Sequence, residues 1–253
     1  MAGPTYTVVR GIVLRETETK DTDKILTLFT DIYGKIPVIA RGARRKGCKF
    51  AACVQPLVWS EWTLYRKGDW FYVNEGSTLE LFSPLRQDLI AMSLGFYFAE
   101  LTEAVTAEGV PAQELLRHLL NGLYALGMLK KPPALVKAAF ELKLMALSGY
   151  EPLADACVYC GKETPEAPML DTVQGVLCCK SCGGSAHTAA LPLCPDSLAA
   201  LRHILYGEPK RLYGFRLGDA ALGRLARAAE AFTLTQLERG FQTLDFVKGL
   251  QNP

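Results

Sequence analysis

Two cysteine pairs constrain this chain more than any other feature. Cys157-Val158-Tyr159-Cys160 and Cys179-Lys180-Ser181-Cys182 are C-x-x-C pairs, separated by a stretch inside the window of roughly 15 to 20 residues found in zinc ribbons. Each pair suits a tight knuckle presenting two thiolates to one tetrahedral ion, with Gly161 after the first and Gly183-Gly184 after the second easing the turn. Four sulfur ligands leave no open position for water, so the spacing predicts a structural Zn2+ and not a hydrolytic one. Such a site is worth on the order of 10 kcal/mol or more in peptide systems, enough to fold a segment too short for its own core. Disulfides are the wrong chemistry for a reducing cytosol, and a redox C-x-x-C wants a thioredoxin-like βαβ setting that the neighbouring residues lack. Cys178 offers a shifted register, but its C-x3-C spacing to Cys182 makes Cys179 the better ligand. His187 is a weaker substitute, and Cys48, Cys53 and Cys194 have no paired spacing and read as small apolar residues.

The chain has 253 residues, 49% of them hydrophobic, enough for two or three compact units. The longest apolar run, Ala134 to Leu147, is broken by Lys137 and Lys143, short of the roughly 18 to 20 residues a bilayer span needs. The opening Met1-Ala2-Gly3-Pro4-Thr5-Tyr6 lacks the basic and apolar regions of an export signal. A cytoplasmic chain with no membrane partner is expected.

Residues 5 to 82 alternate in β-branched and aromatic runs: Tyr6 to Leu14, Lys24 to Phe29, Lys35 to Ala40, Val54 to Tyr65 and Trp70 to Leu81. Five antiparallel strands in so few residues predict a small barrel, with the OB-fold as the natural five-stranded candidate. At Ser83-Pro84 the period changes to a helical stripe of Leu85, Leu89, Met92, Phe96 and Ala99, with Ser83 placed to cap it. Further helices start at Pro111 and at Pro132-Pro133, and others are expected over Asp196 to Tyr206 and Asp219 to Arg239, packing back on the first three. The expected class is therefore α+β and multidomain. An OB-fold barrel occupies 1–82, a first helical part 83–150, an inserted zinc-binding module 151–190, and helices completing the helical domain 191–253.

The net charge of +2 identifies no partner, but its distribution is uneven. Lys35, Arg41, Arg44, Arg45, Lys46 and Lys49 fall in one stretch without a single Asp or Glu. Period two puts Lys35 and Arg41 on one strand face, and the Gly42-to-Gly47 loop can follow a phosphate backbone. These six are the candidate DNA contacts. Among the barrel aromatics Trp59, Trp62, Tyr65, Trp70, Phe71 and Tyr72, most are expected in the core and some could stack on unpaired bases. Lys210 to Arg216 is a lesser basic and aromatic cluster, while His118 and His203 have no nucleophile nearby. No Gly-rich phosphate loop, HExxH helix or carboxylate pair at catalytic spacing is found, and no residue is assigned to catalysis. Lys137 and Lys143, beside the apolar stripe of the third helix, are candidates to receive an acidic peptide tail.

The order of parts resembles the RecO family of bacterial recombination mediators. The likeness is carried by Arg10-Gly11-Ile12-Val13-Leu14-Arg15, Asp23 to Thr30, Gly34-Lys35 through Ala40-Arg41-Gly42-Ala43-Arg44, Pro56-Leu57, Ala99-Glu100-Leu101, Leu147 to Pro152, the cysteine pairs and Phe241-Gln242-Thr243-Leu244. The resemblance implies an OB-fold, a helical middle and a zinc module, binding of single- and double-stranded DNA, strand annealing, and a place at the nucleoid. Its implied protein partners are RecR, the acidic C-terminal tail of single-stranded DNA-binding protein, and the RecA pathway. It marks Lys35, Arg41 and Arg44 as DNA contacts and Cys157, Cys160, Cys179 and Cys182 as metal ligands. Pro37 departs from a regular third strand and needs an edge or bulge. The rival expectation is a protein-interaction adaptor with structural zinc and no DNA role.

Overall fold

The structure, a computed structural model, describes residues 5–19, 22–183 and 189–251. Strands β1 (Tyr6–Glu18), β2 (Lys24–Thr30), β3 (Gly34–Ala40), β4 (Trp59–Lys67) and β5 (Trp70–Glu80) close into a barrel in the order β1-β2-β3-β5-β4. All pairings are antiparallel except the short β3–β5 contact, Val38 with Phe71 and Ile39 with Tyr72. This is the expected OB-fold. Pro37 lies just outside the β3–β5 contact, so β3 has an open side where the missing N–H falls.

Strict alternation fills the barrel: in β4, Ser60, Trp62 and Leu64 point inward while Trp59, Glu61, Thr63 and Tyr65 do not. Trp62 is fully buried and satisfies its indole by donating to the Gly11 carbonyl at 3.1 Å. Gly34, in the run that most resembles the family, is required twice over: its φ is +62°, and a Cβ there would overlap the Val110 carbonyl. Residues 54–58, expected at the start of the fourth strand, form turns instead. Val54, Leu57 and Val58 are buried, but Leu57 adopts φ +62° after Pro56, which breaks the extended run.

The helices are α1 (Leu89–Val105), α2 (Gln113–Gly127), α3 (Pro133–Leu147), the single turn α4 (Lys180–Gly183), α5 (Pro195–Tyr206), α6 (Asp219–Leu237) and α7 (Gln242–Gln251). A 3-10 turn, Leu85–Gln87, precedes α1, and its cap is Asp88, whose carboxylate accepts from Ala91 N, where Ser83 was expected. The buried stripe of α1 runs through Ala91, Leu94, Tyr97, Phe98 and Leu101, leaving Leu89 exposed. The helix is apolar on most sides, so of the expected stripe Leu85 and Ala99 are buried, Met92 and Phe96 are half-buried, and Leu89 alone is exposed.

By internal contacts the chain forms two units, one of Met1–Met128 with Asp245–Pro253 and the other of Leu129–Leu244. Grouping by element type divides the chain at 82/83, whereas contacts place α1 and α2 with the barrel. In the second unit α5 and α6 pack on α3, as its lack of a polar face requires: Val136, Ala138, Ala139, Phe140, Leu142, Leu144 and Met145 are all fully buried. The same unit holds a three-stranded antiparallel sheet in the order β7-β6-β8, formed by β6 (Pro168–Asp171), β7 (Val176–Cys179) and β8 (Ala190–Pro192).

Candidate metal centre and candidate nucleic-acid surface

The first knuckle follows from its backbone. Gly161 takes φ +70°, its N–H donates to the Cys157 carbonyl at 2.8 Å, and Cys157 N donates to the Lys162 carbonyl at 2.9 Å. The second pair begins at the end of β7 and continues into α4. The four sulfurs of Cys157, Cys160, Cys179 and Cys182 lie within 4.8 Å of one another, with Cys160 Sγ and Cys179 Sγ 3.6 Å apart. Zn–S bonds of about 2.3 Å at tetrahedral angles place sulfurs about 3.8 Å apart, so the donor set fits a four-thiolate metal. Cys157 and Cys179 are buried; Cys160 and Cys182 are exposed.

Cys178 is buried but outside this cluster, because successive side chains of β7 face opposite ways. The cluster thus contains Cys179 and not Cys178. His187 lies outside the described residues. Burial alone would raise the Cys157 thiol, but backbone N–H groups of Cys160, Tyr159 and Cys179 more than offset it and hold the group down at about 6. The Cys179 amide donates to Cys157 Sγ at 3.3 Å. Cys179 itself is pushed up to about 12 by burial and then by its thiol neighbours. Thiols crowded in this way ionise together only against a cation. Arg202 of α5 ties the segment to the helices by donating to the carbonyls of Ala154 at 2.8 Å and Asp155 at 2.6 Å.

The basic stretch is divided by the fold. Arg41, Arg45, Lys46 and Lys49 line a cleft of about 540 Å³ together with Cys48, Phe50 and, from β5, Asn74, Glu75 and Gly76. All four cations are exposed. Arg41 lies over the Tyr72 ring, its Cζ 4.7 Å from the centroid, and Arg45 donates from Nε to Thr22 Oγ1 at 3.1 Å. Arg44 is exposed on the same loop, its amide bonded to the Thr22 carbonyl, but does not line the cleft. Lys35 goes elsewhere. It shares a face with Arg41, but six residues of strand put it about 20 Å away, and its amine donates to the Glu103 carbonyl at 2.6 Å in the last turn of α1. It is occupied as a cap of that helix end.

Lys137 and Lys143 do not form a surface pocket. Lys137 Nζ lies 2.7 Å from Glu141 Oε1 and 2.8 Å from Glu230 Oε2, and the Glu141 side chain is fully buried. Burial alone would lower the ammonium, but the two carboxylates outweigh it and leave Lys137 above the ordinary lysine range. Lys143 Nζ donates to the Leu205 carbonyl at 2.8 Å. Both ammonium groups expected to receive a foreign carboxylate thus already have protein acceptors. In the lesser basic cluster Tyr213 is buried and Arg211 pairs with Glu208 at 3.5 Å.

The β5 wall of the cleft escaped sequence reasoning. Asn74, Glu75 and Gly76 reach the loop only through the parallel β3–β5 contact, a pairing across some thirty residues that leaves no local signal.

An OB-fold barrel with a cationic cleft, joined in one chain to a four-thiol module, defines an OB-fold protein with a metal-type cysteine cluster. Residues 5–82 match the family model described as recombination protein O N terminal, and residues 86–245 match recombination protein O C terminal. Curated proteins named DNA repair protein RecO are similar over nearly the whole chain. That of Acetivibrio thermocellus is 30% identical over 97% of this chain and 97% of its own. That of Alkaliphilus metalliredigens is 36% identical over 94% and 97% respectively, and that of Symbiobacterium thermophilum 32% over 96% and 97%. The chain belongs to the RecO family, whose role is in DNA repair and recombination. Among the described residues no helix is long and apolar enough to cross a membrane.

Proposed function

We propose that the chain is a non-catalytic recombination mediator that holds DNA on its barrel, in the cytoplasm at the nucleoid. The observation that carries this is the convergence of Arg41, Arg45, Lys46 and Lys49 on one open cleft, opposed among the described residues that line it by the single carboxylate of Glu75. Side chains of this type grip phosphates without reading bases, so both single and double strands are ligands. If four phosphates are engaged on a single strand, log affinity falls against log salt with a slope of about −3. Arg44 stands close enough in sequence to add a contact, while Lys35 is better assigned to holding α1.

Cys157, Cys160, Cys179 and Cys182 would hold Zn2+. The ion would supply fold energy to residues 151–190 and no chemistry on DNA. Strand annealing, and assistance to RecA on strands coated by single-stranded DNA-binding protein, with RecR and that protein's acidic tail as partners, are the roles that family membership favours. The tail is expected on a surface other than Lys137 and Lys143. A gel shift with short single strands at low salt tests the core of this reading. Binding that weakens when Arg41, Arg45, Lys46 and Lys49 become Ala supports it. No binding by metal-replete protein would leave the adaptor alternative in its place.

A further inference from the structure

The outside of the barrel carries an aromatic row that the core does not use. Tyr6 pairs with Tyr65 across β1 and β4, and Tyr65 pairs with Tyr72 across β4 and β5. Their rings meet at 5.9 Å, edge to face, and at 5.3 Å with planes only 17° apart. The barrel core takes Tyr33, Phe50 and Phe71 as its partly buried aromatics. Tyr65 and Tyr72 alternate to the opposite face, and Tyr6 is 53% exposed. Arg41 lies over Tyr72 at one end of the row and also lines the cationic cleft.

We propose that this row is a platform for unpaired bases, with Tyr72 and Tyr6 as its receiving ends and Arg41 linking it to the phosphate cleft. This rests on the proposed reading that the cleft binds DNA. A strand whose phosphates cross the cleft has its bases delivered beside Tyr72. A guanidinium on an exposed ring is held more weakly than a stacked nucleobase, so a base replaces Arg41 on Tyr72 and frees it to pair with phosphate. Bases within a duplex already have both faces covered by their neighbours. The row therefore confers preference for single strands, while the cleft serves both forms. A proline-rich peptide also likes aromatic rows, but four cations next door call for a polyanion.

The test uses the full-length, metal-replete protein with an oligothymidylate and a duplex of equal length. Tyr72→Leu is expected to weaken single-strand binding roughly ten-fold and to leave duplex affinity and the single-strand salt slope unchanged, with Tyr6→Leu showing a smaller loss of the same kind. Tyr72→Phe keeps the ring and should keep the affinity. A fluorescent adenine analogue in the strand should be quenched on binding to the native protein and to Tyr72→Phe but not to Tyr72→Leu. If Tyr72→Leu fails to fold, Tyr6→Leu, at the exposed end, carries the comparison. Equal losses on both DNA forms, or no loss in either folded variant, would overturn the aromatic row. If those results come with a cleft variant that loses both DNA forms, the row alone is wrong. Native protein that binds neither form would remove the cleft reading as well.

Discussion

On the barrel, Arg41, Arg45, Lys46 and Lys49 end around an open cleft, while in the second unit Lys137, Lys143 and Arg202 end on carboxylates and carbonyls of the protein itself. The residue types are the same, and the difference lies in what surrounds them. The glycine-flanked loop has no acidic residue of its own, and Arg41, Arg45, Lys46 and Lys49 stay exposed around the cleft, with Glu75 on its β5 wall. A helix buried on nearly every side cannot leave an ammonium unpaired, so Lys137 is kept only because Glu141 and Glu230 meet it. Cation density along a sequence therefore marks a binding surface only where the local structure has no use for the charge.

The largest effect should come from the inward-facing side. Cys179→Ser should abolish metal retention, measured by elemental analysis, and unfold the three-stranded sheet, since four-thiolate sites contribute on the order of 10 kcal/mol. Cys178→Ser should keep the metal; a result the other way round would return the register to Cys178. Next, Lys137→Ala strands the Glu141 charge in the interior and should cost about 3–5 kcal/mol in denaturant unfolding, with DNA affinity unchanged. Because Lys137 is raised above its ordinary value when folded, its contribution is complete at neutral pH and is lost only as pH climbs through that raised value. Loss of DNA binding at native stability would break the division between inward and outward cations.

The barrel fold, its strand count and the four-cysteine cluster were legible in the sequence because they rest on short-range patterns, period two and C-x-x-C. What was not legible came from long-range pairing or ambiguous phase. Nothing near Lys35 announces that the Glu103 carbonyl will claim its amine. The helix α7 and strands β6 to β8 were missed: they are short, and the strands draw on the cysteine segment for much of their composition. The lysines of α3 looked amphipathic, and only the folded unit shows where their acceptors are.

Smaller effects sharpen the contrast within the first unit. Lys35→Ala should cost about 1.5–3 kcal/mol of stability, the worth of a charged hydrogen bond, and leave DNA affinity near native. A large loss of affinity at unchanged stability would restore Lys35 to the DNA surface. Smallest of all, Arg15→Ala removes an ion pair to Glu103 in which the arginine side chain is 59% exposed, and should change stability by only about 0–1 kcal/mol.

The most direct measurement is the salt dependence of single-strand affinity for the native protein beside a variant with Arg41, Arg45, Lys46 and Lys49 all replaced by Ala. A native slope of about −3 that collapses toward zero in a variant of unchanged melting temperature is the expected result. A slope that is flat in the native protein, or equally steep in both, would contradict the assignment of DNA to the cleft.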